Sequence, residues 1–252
     1  RAQMAGWRFV FRPFVGVPAE LPCTVRDLEL QQKRWAQGGI QTARKLLPRL
    51  LCGPWPVGVK REAVIHLLGY LAYPLTLLLG ILIVPSALAR RTLGLEGWLV
   101  LDLVVFAGAA LSFLVFFSAA GRCRGRPWLH LIPTAAVTLA LGIGLGATVS
   151  RAVVRGATRK AKDPFQRTPK RGKGNVRYAS PRVPTDTFTK LVLTLWMVVC
   201  GIVAFQQGLW ESLPFVVLFG SGYAWLALAE LRTALIVRGE PRVELRKPVV
   251  TS

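Results

Sequence analysis

The chain has 252 residues, 52% of them hydrophobic, and a formal net charge of +21. A soluble nucleic-acid binder of that charge spreads Lys and Arg over its whole surface. Here the 33 basic residues are clustered, and the apolar stretches between clusters carry almost none, which points to a membrane protein with basic loops and excludes nucleic acid as the partner. The cysteines Cys23, Cys52, Cys123 and Cys200 stand alone without pairing or metal-ligand spacing, and two histidines are too few for a zinc site.

In chain order, residues 1–62 come first and are Pro-rich. They hold a strand-like piece, Trp7-Arg8-Phe9-Val10-Phe11, and read as the tail of a larger soluble domain that begins before Arg1. Thr24-Val25-Arg26-Asp27 then has the form of a capping box, so an amphipathic helix is expected after it. On that helix Gln31, Arg34 and Trp35 are spaced i, i+3, i+4 and share one face. A guanidinium fork suits a phosphate, an amide can fix a phosphate or hydroxyl oxygen, and an indole can stack on a sugar ring. The same spacing also describes an ordinary helix face. Gly38-Gly39 is expected to break the helix and allow close approach.

A helix needs roughly 20 apolar residues to cross a bilayer core. Four segments qualify: 63–89, 97–120, 188–205 and 213–231. A fifth apolar run, 128–149, is long enough but atypical, holding Gly142, Gly144 and Gly146 with Pro133, Thr134, Thr138 and Thr148. Basic residues crowd four regions: 1–62, the turn with Arg122, Arg124 and Arg126, the stretch from Arg151 to Lys190, and the tail with Arg238, Arg242, Arg246 and Lys247. The connection after the first span has only Arg90 and Arg91, and 206–211 has no basic residue. The positive-inside rule places all four basic regions in the cytoplasm, so both ends of the run 128–149 lie on one side and it should be interfacial or re-entrant. Four spans with both termini inside follow. Within them, Asp102, Glu230 and His66 lie near helix ends and are expected to reach water. Trp7, Trp55, Trp98, Trp196 and Trp210 suit membrane-interface belts or channel walls.

Gln31-x-x-Arg34-Trp35, with Ala5-Gly6-Trp7, Glu20-Leu21-Pro22 and Gly39-Ile40-Gln41 around it, resembles the Gln-x-x-Arg-Trp signature of processive family 2 glycosyltransferases of the cellulose-synthase type, and most closely the glucomannan-synthase-like bacterial members. The resemblance implies that Trp35 stacks on the acceptor sugar and that Gln31 and Arg34 contact the nucleotide diphosphate. Phe165-Gln166-Arg167-Thr168-Pro169-Lys170 resembles the family's gating loop, with Arg167 where Val is usual. The resemblance implies that this loop, Phe165 included, swings over the active site when nucleotide-sugar is bound, with phosphate contacts from Thr168 and Lys170. The fold implied is mainly α: four spans plus interfacial helices after the tail of a GT-A α/β domain. Its parts are 1–62 with the acceptor-site helix, a hairpin at 63–126, the interfacial helix and gating loop at 127–187, and a second hairpin with a cytosolic tail at 188–252.

The family's Asp-x-Asp metal motif and Thr-Glu-Asp general base do not occur here. A divalent metal, Mg or Mn, is therefore expected on ligands upstream of Arg1, with no catalytic residue or metal ligand in this chain. The activity implied is an inverting hexosyl transfer from a nucleotide-sugar of the UDP-glucose or GDP-mannose class to a growing β-glycan acceptor, in a bacterial inner membrane. The alternatives are a non-processive lipid glycosyltransferase, or a polysaccharide transport or assembly subunit without chemistry.

Overall fold

A computed structural model describes residues 2–12, 14–22, 24–95, 97–127, 131–158 and 186–238. Among these residues eight α-helices follow in order: α1 (Val25–Cys52), α2 (Val57–Leu68), α3 (Ala72–Thr92), α4 (Trp98–Arg122), α5 (Leu131–Gly144), α6 (Gly146–Thr158), α7 (Thr187–Gln206) and α8 (Leu213–Arg238). No strand occurs among the described residues. The segment Trp7–Phe11 is extended and exposed but joins no sheet: alternation makes a strand only where a second chain segment completes the ladder, and none of the described residues does so.

Helix α1 begins where the capping box places it. The Thr24 hydroxyl oxygen accepts from the Asp27 backbone N–H at 3.2 Å and donates to the Asp27 carboxylate at 2.8 Å. The expected break at Gly38-Gly39 does not occur, and the helix runs through both glycines to Cys52. Two glycines cost the helix about 2 kcal/mol relative to alanine, which its packed face offsets. Gly39 faces the Tyr70 ring so closely that a Cβ there would sit 3.2 Å from it.

Among the described residues, four helical stretches are long and apolar enough to cross a membrane: Val57–Thr92, Val104–Arg122, Thr187–Gln206 and Trp210–Thr233. The first joins α2 and α3 through a 3-10 turn at Gly69–Leu71. Pro74 has no N–H for the Tyr70 carbonyl four residues back, so the helix tightens there before it resumes. The run reserved from spanning becomes α5 and α6, bent by 50° between Gly144 and Gly146, the geometry of either a broken span or a re-entrant segment. Backbone bonding persists on both sides of the bend, from Leu145 to Leu141 (3.0 Å) and from Val149 to Leu145 (2.9 Å).

The core sits on α8. Val84 and Ala87 of α3, Ile143 of α5, Met197 and Cys200 of α7, and Phe219 and Tyr223 of α8 form one cluster. Ala36 and Ile40 of α1, Val149 and Val153 of α6, and Leu226 of α8 form a second. Helices α5 and α8 cross backbone to backbone: a Cβ on Gly144 would lie 2.5 Å from the Gly222 carbonyl oxygen, and one on Gly222 would lie 2.7 Å from that of Ala140. Small residues at a helix crossing are how membrane helices gain close packing without a hydrophobic driving force between them. The outward faces of α3, α4 and α7 stay apolar and exposed, Leu79, Val105, Phe116 and Val199 among them, the surface lipid would cover.

The two short connections share one end of the bundle, because Arg91 donates to the Gln207 carbonyl and Arg90 pairs with Asp102. Trp98 and Trp210 are exposed at that same end, Trp210 edge-on to Phe205 at 5.3 Å, which favours a belt over a channel wall for these two. Helix α1 lies at the opposite end, against α6 and the start of α7.

Candidate acceptor-helix site

At 100° per residue, Glu29, Lys33, Ala36, Ile40 and Ala43 form the face of α1 turned into the molecule. Gln31, Arg34 and Trp35 lie on the opposite side of the same continuous helix. Gln31 and Arg34 are half-buried and Trp35 is 49% exposed. The structure therefore brings the three sequence-predicted residues together on one accessible face. A separate cleft of about 440 Å³ lies further along α1, lined by Met4, Ala5, Lys45, Leu46 and Arg49, and includes none of them. Phe165, Thr168 and Lys170 lie outside the described residues.

Beneath this face is a group that sequence reading missed. Lys190 is fully buried in the first turn of α7 rather than part of the basic loop. Its ammonium donates to Glu29 Oε1 at 2.5 Å and to Glu230 Oε1 at 2.7 Å. Glu230 is 2% exposed and does not reach water, contrary to expectation, because α1 and α7 close over it. The Thr187 hydroxyl donates to Glu230 Oε2 at 2.6 Å, and the Thr148 hydroxyl to Glu29 Oε1 at 3.3 Å, so α1, α6, α7 and α8 all meet here. Burial, together with a hydrogen bond shared with the Glu230 carboxyl, pushes Glu29 up from 4.5 to about 7, against the opposing pull of Lys190. Of the other two flagged residues, Asp102 pairs with Arg90 and His66 is exposed at the end of α2.

A second tie lies one helical turn along α1. Lys33 Nζ is 3.4 Å from Asp186, which also pairs with Arg151 of α6. Burial raises the Asp186 carboxyl, but Lys33 and then Arg151 outweigh it and hold it below the usual carboxylate range. Arg44 donates to the Gly156 carbonyl at 3.3 Å, and a Cβ on Gly156 would lie 2.8 Å from the Gln37 carbonyl oxygen, so α6 lies tightly along α1.

No three His, Cys, Asp or Glu side chains converge as a metal site among the described residues. Asp27, Asp102 and Asp186 are each committed to a cap or an ion pair. Among the described residues, the donors do not fit a divalent metal.

A bundle of apolar helices with an amphipathic helix docked across one end is the architecture of a polytopic helical membrane protein. Over 51 residues, 20% of this chain, it is 39% identical to glucomannan 4-beta-mannosyltransferase 1 of Oryza sativa subsp. japonica, a stretch that covers 10% of that protein. The similarity is thus to a glycosyltransferase, in a short part of each chain. No family model matches the sequence, and no solved structure matches it.

Proposed function

We propose that the chain is the membrane-embedded, acceptor-side part of a family 2 hexosyltransferase of the cellulose-synthase type, which elongates a β-glycan from a nucleotide-sugar and passes the product through the membrane. The observation that carries this reading is the face of α1, where an amide, a guanidinium and a large indole stand side by side, away from the packed side of a helix at one end of the spans. The partial similarity to a mannosyltransferase supports the same chemistry. In this reading Trp35 supports the acceptor sugar through its exposed ring, while Arg34 and Gln31 hold the diphosphate of the donor and stabilise it as it leaves. Phe165, Thr168 and Lys170 keep the gating-loop role that the resemblance gives them. Among the described residues no donor set converges for the divalent metal, whose ligands this reading places outside this chain. The basic end, carrying α1, faces the cytoplasm.

The test uses the full-length protein in membranes. Trp35→Ala should abolish polymer synthesis, and because the ring is half exposed it should cost under about 1 kcal/mol of stability. Arg34→Ala should weaken nucleotide binding roughly ten- to a hundredfold, the loss of one charge-assisted hydrogen bond. Normal polymer output from Trp35→Ala refutes the assignment.

A further inference from the structure

We propose that Glu29, Lys190 and Glu230 fix the register of α1 against α7 and α8, making Glu29 a positioning residue for the Gln31–Arg34–Trp35 face; the functional part of this rests on the reading given above for that face. Three ionisable groups from three helices meet at 2.5 and 2.7 Å, each 2% exposed or less; Thr148 adds a second hydrogen bond to Glu29 Oε1, and Thr187 serves the other oxygen of Glu230. Apolar residues of similar size would hold the helices together at least as well, since a buried ion pair is weak evidence for stability. Its best-attested use is to specify one register.

The apolar side chains of the α1 interface specify a register weakly, beside the close fits of Gly39 on Tyr70 and of Gly156 on the Gln37 carbonyl. Ala36 and Ile40 are small or aliphatic side chains against Leu145, Val149, Ala152 and Val153, and such a surface resists a shift of one turn less sharply than charge does. The charges do not accept it. Lys33 follows Glu29 by four residues, so a one-turn slip in one direction brings its ammonium against that of Lys190. A slip in the other direction places Val25 there and strips Lys190 of a carboxylate. Only the observed register also pairs Lys33 with Asp186, itself held by Arg151. Arg34 and Trp35 follow Lys33 directly on a continuous helix, so the register that satisfies Lys190 sets their height relative to the spans.

The test reads docking directly, without activity. In a cysteine-free background, Ala36→Cys probes the α1 interface (0% exposed) and Met197→Cys probes the α7–α8 core (1% exposed). Position 36 should be protected in the parent and with Glu29→Gln, which keeps an acceptor for Lys190. With Glu29→Ala or Glu29→Lys it should label at least tenfold faster, while position 197 stays protected. Should those variants label at both positions, Glu29→Asp decides, since it keeps the charge and shortens the reach: faster labelling at 36 alone supports the proposal, and parental protection overturns it. Unchanged protection at position 36 in Glu29→Ala and Glu29→Lys also overturns it. In the full-length protein, polymer output should fall in the same order as labelling rises. A displaced α1 with undiminished transfer leaves the register claim standing and removes the acceptor reading of the face, an outcome distinct from failure of the latch.

Discussion

Raising pH from 5 to 8.5 should destabilise the bundle through one residue. Below the ordinary carboxylate range, Glu29 is protonated whether the chain is folded or unfolded. Between about 4.5 and 7 the folded state alone keeps the proton, because the site is dry and already holds the Glu230 carboxyl. A pKa raised on folding contributes stability that is complete at low pH and is lost as pH rises through the folded value. Protonated, Glu29 leaves Lys190 and Glu230 as a neutral pair; ionised, it adds an uncompensated charge to a site sealed by α1, α6 and α7. Each tenfold in proton affinity corresponds to about 1.4 kcal/mol, so the loss across the window is a few kcal/mol. The other charged groups around the site are Lys33 on α1, Arg151 on α6 and Asp186 before α7. Asp186 is held below its usual range, so its contribution is lost only in acid and stays constant through this window. Thermal unfolding of the purified chain in detergent, at constant ionic strength, should show the midpoint falling by on the order of 5–10 °C towards alkaline pH. Glu29→Gln should flatten that slope. Parallel curves for the parent and Glu29→Gln would refute the argument, because the remaining groups would then account for the whole dependence.

Gly222→Ala should destabilise by about 1–3 kcal/mol, since its Cβ would meet the Ala140 carbonyl at 2.7 Å and backbone cannot turn aside. Gly108→Ala, with nothing within 4 Å, should be neutral or slightly stabilising in the same unfolding measurement. A single cysteine at Leu95 should react with an impermeant reagent from outside the cell, and one at Arg124 or Lys173 only after lysis. Labelling at Lys173 from outside would refute the four-span topology and make α5 and α6 one span.

Much of the bundle was written in the spacing of apolar residues, because a membrane span is a one-dimensional property: length and hydropathy decide it. The cap at Thr24 was legible for the same reason, being set by residues three apart. Gly38-Gly39 misled because propensity favours a break while the cost of continuing is repaid by packing on Tyr70, an element 30 residues away. The Lys190–Glu230 contact was within reach of the sequence. Both residues are charges in apolar helices, and they lie nearly equally far from the connection between Gln206 and Leu213, so an antiparallel hairpin sets them side by side. Glu29 gave no such signal. Its burial depends on how α1 docks, and in sequence it resembles any acidic residue in the first turns of a helix.

The Lys190 contact also sets an order of assembly. Helix α1 leaves the ribosome well before its partners Lys190 and Glu230, which are made after five intervening helices. A lone charge near the membrane costs a helix about 2.5–3.5 kcal/mol at full depth, so α7 and α8 are best inserted as a pair whose charges cancel each other. Until that hairpin arrives, Glu29 has no ammonium to meet and α1 has no fixed seat. Helix α1 is therefore made early and committed late, and a chain arrested before α8 would carry Gln31, Arg34 and Trp35 on a helix still free to wander over the membrane surface.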